Sequence, residues 1–140
     1  MLRGFINDIK TFLILIFEAL FFIFCLFFSL RTADDRFSII ACICVCGGFL
    51  LLVLFCLMVC TEIITIYDDK IVSKKIWKQK EILYADIVCI EEGYDRGAYA
   101  TGIEEGWKII DSYNQTIFVV GIRSRKWCVD FIKQHTNKIV

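Results

Sequence analysis

Two long stretches without any polar period come first in the chain. Thr11–Leu30 reads TFLILIFEALFFIFCLFFSL, and Phe37–Cys60 reads FSIIACICVCGGFLLLVLFCLMVC with no charge and no proline. Neither offers the polar face that a surface helix must turn to water. Rising 1.5 Å per residue, each is long enough to cross a hydrocarbon layer of about 30 Å. The pattern predicts transmembrane helices over about 11–30 and 37–60. The polar link Arg31–Arg36, RTADDR, is short, so the two should form an antiparallel hairpin. Ahead of them, Met1–Lys10 reads as a short amphipathic lead. The first run exceeds the apolar core of a signal peptide, and Leu30-Arg31-Thr32-Ala33 is no small-x-small cleavage site, so a retained helix is expected.

From Glu62 the period falls to two. Glu62–Tyr67 is β-branched and stops at the turn signal Asp68-Asp69. A second strand is expected over Lys70–Trp77, a turn at Lys78-Gln79-Lys80, and a third strand over Glu81–Ala85. Asp86–Glu92 continues after a bend, because Ile87 and Ile90 fall three apart. Gly93–Gly106 reads as a loop that could hold a short strand near Ala98–Gly102. Trp107–Ser112 and Thr116–Ile122 make a hairpin. Ser124 can cap a last helix, on which Trp127, Cys128, Phe131 and Ile132 form an apolar stripe. The expected fold is a membrane α-helical hairpin (1–61) plus a small α+β domain (62–140). That domain would be a bent antiparallel sheet of about six or seven strands capped by the C-terminal helix.

Composition sharpens this division. The chain has 140 residues, 58 % of them apolar, with zero net charge, so nothing in its balance points to a nucleic-acid partner. Basic residues stay on the cytoplasmic side of a membrane. Only Arg31 and Arg36 flank the link, whereas Arg3, Lys10, Lys70, Lys74, Lys75, Lys78 and Lys80 lie near the other helix ends. Both termini are therefore expected in the cytoplasm of a cell (inner) membrane. Six of the eight cysteines sit in the apolar runs, where they read as small apolar side chains, with ligation or oxidation as the alternative.

Candidate chemistry is sparse. Glu18 is the one ionisable residue inside the first span, where an acid costs about 2.5–3.5 kcal/mol at mid-membrane. It could be protonated, reach the headgroups, meet a partner subunit, or line an ion or proton path. Cys44, Gly47 and Gly48 put small residues on adjacent turns, suited to packing inside the hairpin or to self-association. His135 suits the dipole at the end of the last helix. A paired-carboxylate site among Glu91, Glu92 and Glu104 lacks any corroborating residue, and no cofactor or metal motif is present. The sharpest feature is the lysine run. An antiparallel second strand would bring Lys74, Lys75, Trp77, Lys78 and Lys80 back toward anionic headgroups. The alternative is an ordinary edge strand whose lysines block aggregation.

The runs IYDDKIVSKK, EILYADIVCI and WKIIDSYNQTIFVVGIRSRKWCVDFIKQ together resemble the small bacterial pleckstrin-homology-like domains that follow a transmembrane hairpin. The resemblance covers about Glu62–His135, and SRKW stands where that family often has a Ser-Pro-Lys start to its last helix. It implies a non-enzymatic domain that binds a lipid, a peptide or another protein. The expected role is a scaffold at the inner leaflet whose partners are the bilayer, an unknown protein, and in self-association a second copy. The alternative is a small oligomeric transport or channel component using Glu18.

Overall fold

The computed structural model describes residues 3–96 and 103–136. The chain divides into two compact units: Ile9–Cys60 is one, and the residues up to Asp8 together with those from Thr61 onward form the other.

The first unit is a pair of helices, α1 (Ile9–Thr32) and α2 (Arg36–Cys60), ending within two residues of the expected bounds. The link closes locally. Ser38 N–H donates to the Asp35 carboxylate at 3.3 Å at the start of α2, and the Thr32 hydroxyl donates to the Phe28 carbonyl at 3.0 Å. Leu15 and Ala19, one turn apart on α1, pack against Val53 of α2, with Phe22, Leu50, Cys56 and Leu57 around them. The rings of Phe22 and Phe49 stack at 5.5 Å. Outside this seam many large apolar side chains are exposed, Phe17, Phe24 and Leu51 among them. Both helices are long and apolar enough to cross a membrane. Only 11 % and 6 % of their most apolar windows are buried, far less than in the mostly buried core helix of a soluble fold.

The second unit holds seven antiparallel strands in two sheets and a C-terminal helix, an α+β architecture. One sheet has the order β1 (Arg3–Ile6), β2 (Ile63–Ile66), β3 (Lys70–Lys74), β4 (Gln79–Leu83). The other runs β5 (Ile87–Arg96), β6 (Ile103–Asp111), β7 (Thr116–Val120). Within each sheet the strands lie in chain order, and the expected single bent sheet is divided in two between β4 and β5. The division falls at a 3-10 turn, Tyr84–Asp86, followed by a bulge between Ile87 and Cys89. The bulge explains the spacing of three, since it lets Ile87 and Ile90 both face inward. Ile64, Ile66, Ile71 and Ile82 from the first sheet meet Ile109, Ile117 and Val119 from the second. Cys128, Val129 and Ile132 of α3 (Lys126–His135) close the same core.

Several expectations change. Residues 3–6, read as an amphipathic lead to the membrane block, form β1 and pair Arg3↔Ile66 through Ile6↔Ile63. The hairpin is therefore inserted into the β unit rather than placed before it, and the boundary at 61/62 separates β1 from the strands it completes. Four residues, RGFI, carry no period of two, and only pairing with β2 reveals the strand. The span 93–106 is strand at both ends, to Arg96 and from Ile103, because the glycines are tolerated in a two-stranded ribbon. The suggested strand at 98–102 lies outside the described residues. Gly106 is required where it stands, since a Cβ there would land on the Val119 carbonyl oxygen and 2.8 Å from the Phe118 ring. Ser124 does not cap α3. The helix starts after Arg125 with no side-chain cap, and Ser124 lies in the preceding turn, its Oγ packed over Gly121 at φ +98°.

Candidate functional site

The β3–β4 connection carries Lys75 and Lys78, with Lys74 at the end of β3 beside them. Its ladder continues from Lys74↔Gln79 to a bond from Lys75 N–H to the Lys78 carbonyl at 2.7 Å. Only Ile76 and Trp77 remain to make the reversal, and both keep negative φ. The turn thus falls two residues earlier than Lys78-Gln79-Lys80, because an Ile-Trp pair reads as strand but here occupies the tip. The consequence is exposure: Trp77 keeps 68 % and Ile76 44 % of their surface open. Turn tips ordinarily carry Gly, Asn, Asp, Ser or Pro. Two large apolar side chains between pairs of lysines are the opposite.

The strand register places this tip. The chain leaves the unit after β1, where Asn7 N–H donates to the Glu62 carbonyl at 2.8 Å, and returns at Thr61. Ile63 pairs with Ile6 on one side and Lys74 on the other. The 75–78 turn therefore projects from the same end of the sheet as both connections to the helices. Lys74, Lys75 and Lys78 are exposed there. Lys80 is exposed as well, but it differs from them in that its ammonium donates to the Thr116 carbonyl of the other sheet at 3.1 Å. Lys70 lies at the far end of β3 and pairs with Glu81 at 2.9 Å, a hydrogen bond that raises its pKa.

A polar node that the sequence did not signal sits beside this end. Asn7 is 4 % exposed and joins the two sheets. Its amide donates to the Phe118 carbonyl at 2.6 Å and to the Glu62 carboxylate at 3.0 Å, while its oxygen accepts from Val120 N–H at 2.8 Å. It thus pairs with β7 as a neighbouring strand would. Glu62 also accepts from the Ser73 hydroxyl. Nearby, Arg125 donates to the Ile6 carbonyl at 3.3 Å and lies 4.0 Å over the Phe5 ring; Phe5 meets Trp127 edge-on, and Arg3 lies 4.3 Å over Trp127. Burial lowers the Arg125 pKa. β1 is therefore clasped to α3 as well as hydrogen-bonded to β2.

The other candidates stay apart. Glu18 is half-buried beside the Leu15–Ala19 seam. Cys44 is exposed, and nothing lies within 4 Å of a Cβ built on Gly47 or Gly48, so α1 does not pack on that face. His135 Nδ1 lies 2.9 Å from the Phe131 carbonyl with its ring stacked on Phe131, at the end of α3. Glu91 stands opposite Lys108, Glu92 opposite Trp107 and Glu104 opposite Asp95, three separate rungs of one ladder. Among the described residues, no three His, Cys, Asp or Glu side chains gather as a metal site would require. Comparisons with protein-family models, curated proteins and solved structures find no match.

Proposed function

We propose that this chain is a membrane-anchored, non-enzymatic interaction protein whose β unit is pleckstrin-homology-like and holds a protein or lipid partner at the inner leaflet. The observation that carries the reading is the pairing of Ile6 with Ile63. If the two apolar helices cross a bilayer, the chain enters from one strand and returns into the next. The β unit is then tethered twice and cannot leave the surface. Antiparallel strands in meander order closed by a C-terminal helix support the pleckstrin-homology-like assignment. The role of β1 also supports a retained first helix, because cleavage behind α1 would remove the strand that Asn7 anchors. The excess of basic residues near Ile9 and Cys60 favours a cytoplasmic β unit.

The test is copurification of the full chain from mild detergent, with a Glu18→Gln variant and a cellular assay for whatever partner travels with it. The reading expects Glu18→Gln to retain partner and phenotype. Loss of function in that variant with the β unit still folded, and its partner still bound, overturns it in favour of transport. An impermeant reagent that labels a tag behind residue 136 in intact cells overturns the orientation.

A further inference from the structure

We propose that the Ile76-Trp77 tip of the β3–β4 hairpin is an interfacial wedge that seats the β unit on an anionic lipid surface, with Lys74, Lys75 and Lys78 supplying the charge. This deepens the reading above and rests on its premise that the helices span a bilayer.

Three observations converge on lipid. The tip projects from the end of the sheet where the chain passes to both helices, beside the bond from Asn7 N–H to the Glu62 carbonyl. Lys74 is the direct partner of Ile63, which is three residues along the chain from Cys60; three extended residues reach about 10 Å at most. The tip is thus tied to the end of α2 through one strand pair and three residues of chain.

The second observation is the tip's chemistry. Trp77 and Ile76 are exposed where turn chemistry calls for polar residues. Indole rings partition to the headgroup layer because one edge is apolar and the other can donate a hydrogen bond. The third is charge. Lys74, Lys75 and Lys78 flank the tip with no acid among them, and Glu62, an acid at this end, is turned onto Ser73 and Asn7. An amphipathic tip ringed by ammonium groups complements an anionic leaflet, whose attraction for each basic residue fades within a Debye length of the surface. Lys80, bound to the Thr116 carbonyl, is left out of the contact.

The test reconstitutes the full chain into vesicles of phosphatidylcholine alone, or of phosphatidylcholine with phosphatidylglycerol, each doped with a headgroup-labelled quencher lipid. Trp77→Phe isolates the tip, because Trp107 and Trp127 stay in place. The expected result is quenching in anionic vesicles that Trp77→Phe removes. It should fall by more than half with Lys74→Gln/Lys75→Gln/Lys78→Gln or in high salt, and be weak in phosphatidylcholine. Lys80→Gln should leave it unchanged. Vesicle flotation separates the failures. A chain that does not float overturns both the membrane reading and the wedge. A chain that floats but shows no Trp77-dependent quenching, shows it equally without phosphatidylglycerol, or shows it only when a cytoplasmic protein is added, overturns the wedge alone.

Discussion

Asn7 and Glu62 stand 55 positions apart in sequence and are joined twice, backbone to backbone at 2.8 Å and side chain to side chain at 3.0 Å. Between them the chain runs through both apolar helices. The pair is the neck of the molecule, and four expectations follow from the geometry around it and away from it.

Asn7→Ala should be among the most damaging single changes in the β unit. It removes the donor to Phe118 and the acceptor for Val120 while leaving both backbone groups in a closed seam. An unsatisfied buried polar group costs about 1–3 kcal/mol, so a loss of about 3 kcal/mol is expected. Denaturant unfolding of the detergent-solubilised chain, followed by near-UV circular dichroism, measures it. A loss below about 1 kcal/mol would mean that water replaces the amide without penalty.

Residues 62–136 alone should not give a folded unit, because β2 would lose its partner and β7 its bridging amide. Joining residues 3–8 to 61–136 through a turn of about two to four residues should restore it, since Asn7 and Glu62 are already hydrogen-bonded neighbours. Amide proton dispersion distinguishes the two proteins. Equal dispersion would show β1 to be an ornament of the fold.

The glycines divide sharply. Gly106→Ala drives a methyl into the β7 backbone and should cost about 1–3 kcal/mol. Gly47→Ala and Gly48→Ala meet open space, so the helix pair of a single chain should be unaffected. Helical content and thermal stability in detergent test both. If Gly48→Ala nevertheless changes the size of the particle, that face contacts another molecule.

Alkaline pH should weaken the β unit. Burial pushes the Cys128 thiol from 9.0 up to about 12 and raises the Tyr84 phenol in the same direction. The unfolded chain releases the thiol proton near pH 9 and the folded chain retains it. The contribution is therefore complete below about pH 9 and is lost as pH climbs toward 12. Melting temperature against pH should show this decline, and Cys128→Ala should flatten it. An unchanged slope in the variant would assign the decline to Tyr84.

What the sequence made legible was whatever repeats with a period. The two helices, the β-branched strands, the Tyr113-Asn114-Gln115 turn and the stripe on α3 all follow from spacing, and all lie within a few residues of where spacing puts them. Asn114 takes the positive φ of 60° that its turn position favours, with Asp111 accepting from Tyr113 and Gln115 N–H. What was hidden depends on long-range pairing. Arg3–Ile6 shows no apolar–polar alternation that would announce a strand, and its partner lies beyond both helices. Asn7 is one amide in a polar stretch, and only proximity to Phe118 and Val120 gives it a role. The Ile76-Trp77 tip misled for the converse reason, because apolar residues at a turn look like strand until their exposure is seen. At the candidate site the residue types were visible, but the withdrawal of Lys80 was not.

The insertion of the helices between β1 and β2 also sets an order for biogenesis. Residues 3–7 leave the ribosome before either helix, yet Val120, 113 positions after Asn7, and Arg125, 119 positions after Ile6, supply contacts to them. The strand must therefore wait until both apolar helices have been made before β2 can pair with it, and its bonds to β7 and α3 come only once Val120 and Arg125 have been made. A chain stalled before Val120 would hold β1 on β2 alone, an unfinished sheet open to quality-control proteases.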